Sequence, residues 1–142
     1  MTRLLAASFA PLLLCLGSAA WGAPASAGHA AACVAALKGR EATLTETLKA
    51  GGAGVEPELL RVVQSGYAFV GRQYLAGLGE AEARQLLASA EQAFKALSPD
   101  SRKLRQAQCL QEGDRLYAQA SGLERSLITT AAQRRIKRMK SR

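Results

Sequence analysis

The chain has 142 residues, 49% of them hydrophobic and 21% charged, with 19 Lys and Arg against 11 acids and a net charge of +8. That length suits one domain and is too short for two. A single histidine and three cysteines argue against a Ser-His-Asp triad, a Cys/His metal centre and an attached haem, which needs Cys-x-x-Cys-His.

Residues 1–27 have the three-part build of a secretory signal peptide. Met1-Thr2-Arg3 is a basic start, residues 4–16 are an apolar run, and small-x-small sites end at Ala20, Ala23 and Ala27. The run has 13 residues and contains Pro11, short of the roughly 20 needed to cross a bilayer. Pro24 disfavours cleavage after Ala23, which leaves Ala20 and Ala27 as the expected sites. Leu14 before Cys15 does not suit lipidation; Cys33 follows alanines but is separated from the apolar run by polar and Pro-containing sequence. The expected plan is a cleaved leader over 1–27, a helical bundle over 28–133 and a basic tail over 134–142, with the mature chain periplasmic or secreted.

Loss of the leader removes Cys15 and leaves Cys33 and Cys109, for which a disulfide is the default in an oxidising compartment. The loop from 33 to 109 has 77 residues, and chain entropy sets its closure at about 4 kcal/mol. Catalytic dithiols sit two residues apart, and these do not.

Hydrophobic spacing is helical throughout the rest. A first helix over 30–49 places Cys33, Leu37, Leu44 and Leu48 on one face, and the glycines of 51–54 stop it. Glu56-Pro57-Glu58 opens a second, whose expected buried stripe is Leu60, Val63, Tyr67, Val70 and Tyr74, with an end at Gly77. A third over 80–97 buries Ala83, Leu87, Ala90, Phe94 and Leu97. Ser98-Pro99 begins a fourth. Nothing forbids a single helix from Pro99 to about Met139, but Ser121 and Glu124 fit a capping box, which favours a kink or restart near Gly122, with Leu116, Ala120, Leu123 and Leu127 continuing one apolar stripe. No alternating run supports a strand. The fold class is therefore all-α, a four- to five-helix bundle with one disulfide linking the first and fourth helices.

In the second and third helices Tyr67, Val70, Gly71, Tyr74, Ala83, Leu87 and Ala90 sit at spacings that resemble one tetratricopeptide repeat over residues 64–97. The resemblance implies two interlocked antiparallel helices and a peptide- or protein-binding groove. Lys95 stands where the repeat's closing proline belongs, no second copy occurs, and no binding residue carries over.

No catalytic set emerges. His29 lies just after the cleavage region, in a segment expected to fray. Glu112 and Asp114, the least unsuited acid/base groups, are two apart in a helix and so do not share a face. No metal ligand set and no cofactor is expected, and the glycines of 51–54 follow a helix and precede a proline, the wrong context for a phosphate loop. The positive charge is concentrated in Arg134, Arg135, Lys137, Arg138, Lys140 and Arg142, interleaved with Ile128, Ala132, Ile136 and Met139. Such a basic amphipathic end suits an anionic lipid headgroup, an anionic polysaccharide or an acidic protein; without an aromatic platform it does not suit nucleic acid. The leading expectation is an exported, non-enzymatic binding module of the cell envelope or extracellular space. The alternatives are a small carboxylate-dependent envelope enzyme and a bundle that takes an apolar small molecule between its helices.

Overall fold

Local signals set each helix boundary in the computed structural model, which describes residues 26–141; most of the expected leader, and Arg142, lie outside the described residues. Among those residues there are five helices and no strand: α1 (Ala27–Lys49), α2 (Glu56–Leu75), α3 (Glu80–Ala96), α4 (Pro99–Gln119) and α5 (Gly122–Lys140). Ser26 and Ser98 cap α1 and α4 by accepting from the backbone N–H three residues on. Gly77, at φ 86°, closes α2 with the paired bonds of a Schellman motif: its own N–H donates to Tyr74 O and that of Leu78 donates to Gln73 O. The helix is broken at Ala120, and Ser121 and Glu124 form the full capping box that restarts it as α5. The Ser121 backbone N–H and hydroxyl hold the Glu124 carboxyl below its ordinary range. The cap is therefore intact above that range and is lost as pH falls through the lowered value.

The Cys33–Cys109 disulfide joins α1 to α4, with the two Cα atoms 5.1 Å apart. These helices run antiparallel, since His29 meets Glu112 at one end and Gly39 meets Gln106 farther along. The core lies where α1, α2 and α4 meet and α5 closes over α2; Phe69, Leu37, Leu59, Val62 and both bridged cysteines are its largest fully buried side chains. α3 packs along α1 and buries no residue fully; the expected positions 83, 87, 90 and 94, and Leu97 just past its end, are half-buried, as are Leu86 and Glu91.

Two expected stripes are corrected. In α2 the buried residues are Leu59, Val62, Val63, Ser65, Ala68 and Phe69, whereas Val70 is 50% and Tyr74 77% exposed. α2 is apolar around much of its circumference, so a second stripe with helical period was available, and contact with α1 and α4 selects it. In α5, Leu123 and Leu127 are exposed, at 72% and 62%. The extended backbone at Ala120 (ψ 149°) resets the helical phase, and α5 docks through Ala132 and Ile136, with Met139 packed beside them.

The interlocked hairpin implied by the tetratricopeptide resemblance does not form. α3 lies along α1 and makes little contact with α2, and a methyl group at Gly71 would meet no atom within 4 Å. The close approaches are elsewhere. A Cβ at Gly113 of α4 would stand 2.6 Å from Ser65 Cβ and 3.1 Å from Ser65 Cα and O on α2; one at Gly39 would stand 2.7 Å from the Phe94 ring. Gly113→Ala therefore forces backbone against backbone, and a loss of about 1–3 kcal/mol in urea unfolding is expected, with Gly71→Ala neutral or stabilising.

Candidate functional site

Within the basic segment, described as far as Ser141, residues 134–140 are the last turns of α5, and the bundle divides their charges between two faces. Arg135 turns inward and donates to Glu41 of α1 at 2.8 Å. Burial lowers the pKa of this guanidinium, but the Glu41 carboxylate and, less strongly, Tyr67 more than reverse that and hold it above its ordinary value. Lys140 pairs with Glu56 at the start of α2, 2.5 Å away. Thr45 donates to Met139 Sδ at 3.6 Å, and Gln64 of α2 donates to Thr129 at 3.0 Å. These contacts fix the rotation of α5 about its axis.

That rotation leaves Arg134, Lys137 and Arg138 exposed and without an ionic partner among the described residues. Leu123, Leu127, Arg134, Lys137 and Arg138 follow each other at steps of 4, 7, 3 and 1, which keeps all five on one face, opposite Ala132 and Ile136. Most of the acids are engaged elsewhere. Glu58 binds Arg40, Glu91 binds Lys38, Glu80 binds Arg84, Asp114 binds Arg61, and Glu124 is held by its cap. Sequence reasoning found the cations and assigned them to a tail; it missed the two leucines, which it placed in the core.

A second feature is a groove of about 240 Å³ with α1 as its floor. Val34 and Leu37 of α1, Val63, Tyr67 and Val70 of α2 and Leu87 of α3 line it, together with the Glu41–Arg135 pair. It lies where α2 and α3 both pack on α1 and make little contact with one another.

A third cluster surrounds the disulfide. His29 is not in a frayed segment: it sits in the first turn of α1, with Nε2 2.8 Å from Glu112 Oε2 and 3.8 Å from Cys33 Sγ. Both cysteines are buried, whereas His29 and Glu112 reach solvent at the edge. The two carboxylates considered for acid/base work are held apart. Glu112 faces His29, and Asp114 accepts from Ser65 at 2.8 Å and from Arg61 Nε at 2.9 Å. The Asp114 hydrogen bond and charge raise the Arg61 pKa.

No helix among the described residues is long and apolar enough to cross a membrane. No protein-family model, curated protein or solved structure matches this chain.

Proposed function

We propose that the protein is an exported, disulfide-stapled helical module that docks on an anionic surface of the cell envelope through the outer face of α5. The observation that carries this reading is the placement of Arg134, Lys137 and Arg138, unpaired and exposed, on the same face as exposed Leu123 and Leu127. A helix lying in a membrane interface needs this combination: cations for the headgroups and apolar side chains that enter the acyl boundary. Each Lys or Arg near an anionic surface contributes about 1 kcal/mol. Anionic polysaccharide would use the cations and leave the leucines idle.

Export rests on the leader-like residues 1–27 and agrees with a buried disulfide. Ser26 caps α1, so cleavage after Ala20 keeps that cap and cleavage after Ala27 removes it. The former suits the fold better, by about 1 kcal/mol.

The test is co-sedimentation of the oxidised protein with vesicles containing an anionic phospholipid. Replacing Arg134, Lys137 and Arg138 together by alanine is expected to weaken binding roughly a hundredfold at low salt. Replacing Lys103, Arg105 and Arg115 of α4, which changes net charge equally, should weaken it far less. Equal losses would reduce the effect to net charge and remove the assigned face. Leu123→Ser with Leu127→Ser separates the occupants: binding to vesicles falls, and binding to a soluble polyanion does not.

The groove supports a second reading, an apolar small molecule seated between α1, α2 and α3. Its lining is mostly aliphatic, and Val70 stands half exposed at its edge. Native mass spectrometry of protein purified without detergent would reveal such a ligand.

A further inference from the structure

Antiparallel helices bridged at Cys33 and Cys109 bring the residue one turn before the first cysteine level with the residue one turn after the second. Here those residues are His29 and Glu112. We propose that His29, Cys33, Cys109 and Glu112 form a redox-gated zinc site, closed while the disulfide is intact and opened by its reduction.

The geometry is close to what the ion needs. His29 Nε2, Cys33 Sγ and Glu112 Oε2 lie within 4.8 Å of one another, and Cys109 Sγ is bonded to Cys33. In a tetrahedral centre with Zn–S near 2.3 Å and Zn–N and Zn–O near 2.0 Å, donor atoms stand roughly 3.3–3.8 Å apart. The imidazole lies 3.8 Å from the Cys33 sulfur and 2.8 Å from the carboxylate, within about 0.5 Å of that range. The main change required is separation of the two sulfurs, which cleavage of their bond permits. Facing helices that each supply two inward ligands at i, i+3 or i, i+4 are a common way for bundles to build metal sites. His29 and Glu112 reach solvent and the sulfurs do not, so an ion enters past the imidazole and carboxylate onto buried thiolates.

The chemistry balances with a dithiol as reductant. Its two electrons break the Cys33–Cys109 bond, the cysteines become two thiols, and the reductant becomes a disulfide. A divalent ion then displaces one proton from each thiol, takes the lone pair of neutral His29 Nε2 and one Glu112 oxygen, and leaves a centre of net charge −1. Paired thiolates with imidazole select zinc over magnesium or calcium. While the disulfide stands, only the nitrogen and carboxylate donors remain. Metal and disulfide are thus mutually exclusive cross-links between the same two helices, and once the reduced protein binds zinc α1 is again stapled to α4.

Cobalt(II) titration of the full chain, reduced with a phosphine under argon, tests this. The expected result is one ion per chain, with thiolate-to-cobalt charge-transfer and intense tetrahedral d–d bands that zinc displaces, and none of these bands for the oxidised protein. His29→Ala and Glu112→Gln keep the disulfide, so their oxidised fold can be verified by circular dichroism. Each should weaken cobalt binding at least tenfold after reduction. Absent bands, or bands that neither variant alters, overturn the proposal. If reduction unfolds the chain, recovery of helicity on adding zinc supports the site and failure to recover overturns it.

Discussion

Replacing Cys33 and Cys109 by serine should lower the unfolding free energy by about 4 kcal/mol, the chain-entropy figure for so long a loop. The sulfurs are buried at the centre of the contact between α1 and α4, so the lost bond is not compensated by water reaching free side chains. The surrounding core makes the effect large relative to total stability. α1 contributes Ala30, Ala35 and Ala36 to the interior, and α3 buries nothing fully, so apolar burial per residue is low. Domains of this size have only about 5–15 kcal/mol in total, and a drop in melting temperature on the order of 10–20 °C should accompany the change. Urea unfolding of the oxidised protein and the double-serine variant measures it. A difference below about 1 kcal/mol would mean that the unfolded chain is already constrained or that the native bridge is strained.

Phe69→Ala is expected to cost about 3–5 kcal/mol, as for other fully buried aromatic side chains. Tyr74→Ala, five residues along the same helix, should cost less than about 0.5 kcal/mol because its ring is in solvent. The pair of variants discriminates between the two faces that α2 offers. A stripe through Leu60, Val63, Tyr67, Val70 and Tyr74 requires the opposite order of effects, so a Tyr74→Ala loss larger than that of Phe69→Ala would contradict the packing described above.

The contrast between these two residues shows which parts of the fold were legible in the sequence. Boundaries were, because their causes are local: Ser98 before Pro99, Gly77 in a left-handed conformation, and Ser121 with Glu124 satisfying each other's backbone donors. The disulfide was legible too, since Cys33 and Cys109 form an even pair once the leader is set aside. Helix rotation was not. Leu59, Leu60, Val62, Val63, Tyr67, Ala68, Phe69 and Val70 give α2 apolar groups on several faces, and only the neighbours decide which is buried. In α5 the extended backbone at Ala120 broke the helical phase and left Leu123 and Leu127 facing outward, an effect that a stripe extended across the break could not register.

The same limit applied to the candidate sites. Six cations were visible as a charge cluster, but which of them face inward depended on Glu41 and Glu56, about 80 to 95 residues away in sequence. The His29–Glu112 pair did carry a signal. Given a bridge between antiparallel helices, the positions one turn before Cys33 and one turn after Cys109 must meet, and reading His29 as part of a frayed end hid that consequence. The groove had no comparable signal, since it arises where two helices share a third as their main packing partner.

The central claim is that the outer face of α5 meets an anionic membrane surface. The most direct measurement is partitioning of the oxidised protein between buffer and vesicles, compared for anionic and zwitterionic lipid as salt is raised. The predicted result is binding to anionic vesicles that weakens steadily as the ionic strength shortens the Debye length, with little binding to zwitterionic ones. Equal partitioning into both lipids, or no binding to anionic vesicles at low salt, would contradict it.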